Sequence, residues 1–184
     1  MKRVLSGLLA LSFMTSAAHA DFQLAKKQAP YTAGDDQKTI HGAASDGTTL
    51  TWSGDGTHPT LAKGEKFVLL LGSADKFICD KTAGEYVTLY WAGIDSDGEE
   101  RDEQEISLMV DKDNYLIGGG PLAPKVDQQK LSQFFEAFKY QAAIRLYYDE
   151  DCGDAGYTDI STQGFIPAVL DYNYQSLQAR YNVN

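Results

Sequence analysis

The chain has 184 residues, with 26 acidic against 16 basic side chains and a net charge of −10 at neutral pH. That length suits one domain with a core of its own. Its charge repels nucleic acid and anionic lipid, which leaves cations or basic proteins as the favoured partner class.

The opening "MKRVLSGLLALSFMTSAAHA" reads as a secretory signal peptide over 1–20. Lys2 and Arg3 form a basic head, and Ala18-His19-Ala20 is an A-x-A exit. Val4 to Phe13 is apolar but falls short of the roughly 20 residues a membrane span needs. Cleavage after Ala20 would remove two basic residues and no acids, leaving 14 against 26 and a net charge of −12. The expected location is a Gram-negative periplasm or the cell exterior, with no membrane insertion. Residues 21–38, "DFQLAKKQAPYTAGDDQK", are polar, lack periodicity and contain Pro30 and Gly34; a flexible N-terminal arm is expected.

A single domain is expected over 39–184. "KTIHGAASDGTTLTWSGDG" has the form of a hairpin turning at Asp46-Gly47. "KFVLLLG" is a continuous apolar run, the mark of a strand covered on both faces. "EYVTLYWAGI" alternates, with Val87, Leu89 and Trp91 on one face and Thr88 and Tyr90 on the other. "EISLMV" alternates through Ile106, Leu108 and Val110, then turns at "DKDN" into "YLIGG". Consecutive strands with short polar turns predict an antiparallel meander. "IGGGPLAP" lacks the Lys-Ser or Lys-Thr of a phosphate loop, so a flexible connector is expected there.

The last third changes period. Leu131, Phe134, Phe135 and Phe138 form one helical stripe, with Asp127 as N-cap and Val126 able to staple onto Leu131. "AAIRLYYD" predicts a strand with Ile144, Leu146 and Tyr148 on one face. "GFIPAVLDYNYQSLQARY" predicts a closing helix whose recurring residues are Ile166, Leu170, Tyr174, Leu177 and Tyr181, with Pro167 in its first turn. The fold class is therefore α+β: a mainly antiparallel sheet with two amphipathic helices in the C-terminal third and one disulfide.

That disulfide is expected between Cys79 and Cys152, the two cysteines of the chain. An isolated pair in an oxidising compartment is bridged, and closing so long a loop contributes roughly 4 kcal/mol in the chain-entropy model. Asp149, Glu150, Asp151 and Asp154 around Cys152 disfavour a thiolate nucleophile, and no CxxC or HxxxH spacing suggests zinc.

Catalytic signals are sparse. After cleavage only His41 and His58 remain, the first read as a structural strand residue and the second as part of a turn. No G-x-S-x-G, S-x-x-K or H-E-x-x-H motif occurs, and no catalytic residue, metal ligand or cofactor is assigned. Acid placement is the stronger signal. "DSDGEERDEQE", Asp95 to Glu105, holds seven acids and one arginine between two strands. Asp95, Asp97 and Glu99 alternate as in calcium loops, but Gly98 stands fourth where an EF-hand wants its glycine sixth. Eleven tyrosines accompany the acids, several of them near Cys152. Tyrosine anchors interfaces because it buries area at low entropy cost.

The expected function is a secreted or periplasmic non-enzymatic protein that docks a basic protein through acidic loops. An inhibitor or immunity protein against a cell-wall-acting enzyme is a concrete instance. Its expected contacts are Asp95, Asp97, Glu99, Glu100, Asp102, Glu103, Asp149, Glu150, Asp151 and Asp154, with Tyr147 and Tyr157. The alternative is a secreted hydrolase of glycan or peptidoglycan that uses paired carboxylates and calcium as a stabiliser.

Overall fold

The computed structural model describes residues 23–26, 38–54, 61, 67–148 and 155–181. In chain order these form β1 (Gln23–Lys26), β2 (Lys38–Ala43), β3 (Thr49–Gly54), β4 (Phe67–Gly72), α1 (Asp75–Ile78), β5 (Tyr86–Ile94), β6 (Gln104–Val110), β7 (Leu116–Gly118), α2 (Gln128–Tyr140), β8 (Ala143–Tyr148), β9 (Gly156–Ser161) and α3 (Phe165–Tyr181). The nine strands make one antiparallel sheet in the order β1-β2-β3-β4-β7-β6-β5-β8-β9. It curls far enough for the edge strand β9 to come back against β2, giving a nearly closed barrel.

The antiparallel sheet and both C-terminal helices agree with the sequence reading, but the strands do not form one continuous meander. β1 to β4 run in order, the chain then crosses through α1 to β5, and β6 and β7 step back until β7 pairs with β4. A physical reason lies in β4, whose every residue is buried. Such a strand needs neighbours on both edges as well as cover on both faces, and the wholly buried β7 supplies the second edge. The segment expected as a flexible arm contributes β1, which pairs with β2 from Gln23 opposite His41 to Lys26 opposite Lys38.

α2 packs one face on the sheet, touching β4, β6 and β8, and leaves the other exposed. Its N-terminus is capped by Asp127, whose carboxylate accepts from the backbone N–H of Gln129 and Lys130. The stripe Leu131, Phe134, Phe135 and Phe138 is fully buried. Trp52 of β3 sits at the centre of the aromatic core, with Phe135 at 5.2 Å, Phe134 at 5.8 Å and Phe138 at 6.0 Å between ring centroids. Phe67 stacks on Phe135 at 4.3 Å. Each such ring removes on the order of 200 Å² from water, which makes this cluster the main source of cohesion.

Two expectations fail here for packing reasons. The glycines of "IGGGPLAP" are not a flexible connector: Gly118 and Gly119 are buried, and Gly119 bridges back to Ala123. With φ at +78°, Gly119 lies so close to β4 that a Cβ would stand 2.2 Å from the Phe67 carbonyl oxygen and 2.8 Å from Leu131. The recurring residues of α3 do not face the core either. Phe165, Ala168, Val169 and Tyr172 do, while Ile166, Leu170, Tyr174, Leu177 and Tyr181 lie in solvent. Pro167 falls in the first turn, as expected. On the inner side the Tyr172 hydroxyl accepts from Gly54 N–H at 3.0 Å. The Asn173 amide holds both backbone groups of Leu61, at 2.5 and 3.0 Å.

Candidate functional site

Strand alternation builds the site. On β8, Ile144 and Leu146 point inward and are buried, so Arg145 and Tyr147 face outward. Register then lines up neighbours on the outer surface: Arg145 lies between Ala92 and Asp159, and Tyr147 between Tyr90 and Tyr157. Two adjacent rows result, one charged and one of three tyrosines.

Arg145 is the hub of the charged row. Its Nε and Nη2 donate to the two carboxylate oxygens of Asp159 at 2.8 and 2.9 Å, and Nη1 donates to Glu100 at 2.9 Å. The guanidinium also lies 3.8 Å from the centre of the Tyr157 ring, a cation–π contact. Hydrogen bonding to Asp159 first, with Glu100 adding to it, raises its proton affinity further. Tyr147 donates its hydroxyl to the other oxygen of Glu100. Burial, followed by this bond, pushes the Tyr147 phenol up to about 12. Glu100 reaches both partners because the chain after β5 folds back: Glu100 bridges to Ile94, and Arg101 N–H donates to the Gly93 carbonyl at 2.8 Å.

Beside these rows opens a cleft of about 440 Å³, lined by Phe77, Cys79, Val87, Thr88, Leu89, Tyr90, Glu103, Tyr147, Tyr148 and Ala155. Three of its lining residues are tyrosines, and among the described residues its one acid is Glu103. A resident cation already uses this chemistry at the margin, since Lys76 Nζ stands 5.1 Å over Phe77 and 5.2 Å over Tyr148. The same Lys76 pairs with Asp46, in the β2–β3 turn. Burial raises the Asp46 carboxyl, but bonds from Lys76 and the Thr48 backbone outweigh it and hold the group well below the carboxylate range.

The acids expected as contacts divide into four groups. Asp95 is engaged in its own turn: Oδ1 accepts from Asp97 and Glu99 N–H at 3.0 and 2.9 Å, and Oδ2 pairs with Arg101 at 2.9 Å. Glu100 is committed to Arg145 and Tyr147. Asp97, Glu99, Asp102 and Glu103 are exposed and have no ion pair among the described residues. Asp149, Glu150, Asp151, Asp154 and Cys152 lie outside the described residues, although Tyr148 and Ala155, which bracket them, both line the cleft. Cys79 lines it too, and among the described residues no cysteine is free. Tyr147 and Tyr157, expected as contacts, are cross-strand neighbours in one row.

Arg145, Asp159 and Tyr90 were not anticipated. The single base in "AAIRLYYD" sits at an outward position and is a usable signal, but Asp159 required recognising β9 and its register. His41 behaves as a strand residue, its Nδ1 3.1 Å from Thr51 Oγ1, and burial lowers its pKa. His58 lies outside the described residues. Among the described residues no group of three or more His, Cys, Asp or Glu could hold a metal ion, and no helix is long and apolar enough to cross a membrane. Comparison with known proteins returns no matching family model, no matching curated protein and no matching solved structure.

Proposed function

We propose that this is a non-enzymatic binding protein of an exported compartment, which docks a basic protein on the face formed by the Asp97–Glu103 acids and the tyrosine row. An inhibitor or immunity protein against a cell-wall-acting enzyme is the concrete form of the reading. The supporting observation is the cleft, lined by three tyrosines and Glu103; Asp97, Glu99 and Asp102, on the same β5–β6 connection as Glu103, are exposed and carry no ion pair among the described residues. A lysine or arginine of the partner would lay its stem along Val87 and its charge against Glu103 and the tyrosines of the lining. The −10 charge of the chain would speed the encounter by steering.

The Cys79–Cys152 disulfide belongs to the same reading. Cys79 and the residues that bracket Cys152, Tyr148 and Ala155, line the same cleft, so the bridge would tie the acidic 149–154 stretch to it. Among the described residues, the carboxylates of Glu100 and Asp159 share Arg145 as a partner, an arrangement that supports a structural ion-pair cluster more than a pair of acids flanking a substrate.

The test is inhibition of purified basic cell-wall hydrolases by the full chain. The reading expects at least one to lose activity on stoichiometric addition, with the effect fading as salt rises. If acidic and basic hydrolases are equally unaffected at low ionic strength, the reading fails.

A further inference from the structure

The helix α3 is apolar on two opposite sides. Phe165, Ala168, Val169 and Tyr172 fill one side and meet the barrel, while Ile166, Leu170, Tyr174, Leu177 and Tyr181 on the other are 39–65% exposed. A helix with two apolar faces belongs between two partners, and among the described residues it is the inner face of α3 that meets the barrel, while the outer one stays exposed. Five large apolar side chains in a single exposed row go beyond the scattered apolar residues of an ordinary surface.

The spacing names the kind of partner. Leu170, Tyr174, Leu177 and Tyr181 follow a 4-3-4 rhythm, which is about three turns of an a/d seam with leucine at d and tyrosine at a. Such a seam takes another helix, and this one complements itself. In an antiparallel pair centred between Gln175 and Ser176, Leu170 meets the second copy's Tyr181 and Tyr174 meets its Leu177, so each contact sets a large ring against a smaller side chain.

Charge and area point the same way. Across its 17 residues α3 carries one acid, Asp171, and one base, Arg180. In a chain of net charge −10 this is a surface on which two copies approach without like-charge repulsion. A basic partner would find only Asp171 there. The five side chains expose roughly 500 Å² per copy, so a pair would bury about 1,000 Å², the lower end for a specific interface. We infer that α3 is the two-fold interface of a homodimer, formed by antiparallel packing of the Leu170–Tyr181 seam of two copies.

Sedimentation velocity of the full chain over a concentration series tests this. Expected is a shift from monomer to dimer mass as concentration rises, undiminished by salt because the seam is apolar. Leu170→Asp combined with Leu177→Asp should stay monomeric, with the circular dichroism and unfolding midpoint of the parent since both positions are exposed. Leu122→Asp, which alters an exposed apolar residue outside α3, should dimerise like the parent. Orientation is read from a mixture: Tyr174→Glu and Leu177→Lys each weaken association by more than about tenfold alone, and their equimolar mixture recovers it, because position 174 of one copy meets 177 of the other. A parent that stays monomeric at millimolar concentration, a seam variant that dimerises unchanged, or a mixture without recovery would each overturn the inference.

Discussion

Arg145 on β8 holds Asp159 on β9 through two parallel N–H···O contacts of 2.8 and 2.9 Å, and the same guanidinium reaches Glu100 from the opposite side. One cation on β8 thus ties together the edge strand β9 and the β5–β6 connection. This geometry predicts that Arg145→Gln destabilises the protein by about 1–2 kcal/mol, leaving two carboxylates facing each other without their donor. Arg145→Lys should recover only part, because an ammonium cannot engage both oxygens of Asp159 in parallel. Denaturant midpoints of the two variants check the order.

Tyr147 should titrate late. Its phenol is raised from 10.0 to about 12 by burial and by its bond to Glu100. A raised folded value means that the stabilisation is complete below the unfolded value near 10 and is lost as pH climbs through about 12. Ultraviolet titration of phenolate absorbance should therefore show a component above the main tyrosine wave, absent in Tyr147→Phe and lowered in Glu100→Gln. A Tyr147→Phe titration curve identical in shape to the parent's would refute the assignment.

At the acid end the relevant group is Asp46, whose folded pKa is depressed below 3.8 by its bonds to Lys76 and Thr48 against the opposing effect of burial. The contribution is present above about pH 4 and disappears as pH falls through the depressed value. Asp46→Ala should cost about 1 kcal/mol at neutral pH, because the side chain is partly exposed and its ion pair is screened. Below the depressed value the variant and the parent should converge. Thermal midpoints against pH measure both effects.

Gly119 allows α2 to approach β4. A methyl group there would meet the Phe67 carbonyl at 2.2 Å, in a backbone conformation with φ at +78°. Gly119→Ala is expected to cost about 3 kcal/mol or more through combined overpacking and strain. Gly98→Ala, in the β5–β6 turn with open space around it, should cost about 1 kcal/mol through φ alone. Parallel unfolding curves of the two variants decide whether close approach or conformation dominates at position 119.

Period-based reasoning read the faces of β4, β5, β6 and α2 directly, because burial on one side of a strand or helix writes itself into residue order. Pairing left no such trace. The crossover through α1 that seats β7 beside β4 depends on contacts between residues far apart in sequence, and β9, whose "GYTDIS" mixes polar and apolar residues, carries too weak an alternation to stand out. The same reason hid the hub of the site: Arg145 and Glu100 are 45 residues apart and meet only once the β5–β6 connection folds back. In α3 the period was right and the phase was misleading, since two apolar stripes share one helix and sequence alone does not say which faces the barrel.

The basic-partner reading is most directly tested by the affinity of the full chain for a basic cell-wall hydrolase, measured calorimetrically at two ionic strengths for the parent and for Glu103→Gln. The account predicts a complex at low salt whose dissociation constant rises steeply with salt, and a further loss of about 2 kcal/mol when Glu103 no longer meets a desolvated cation. Affinity that is absent, or that is unmoved by both salt and Glu103→Gln, would contradict it.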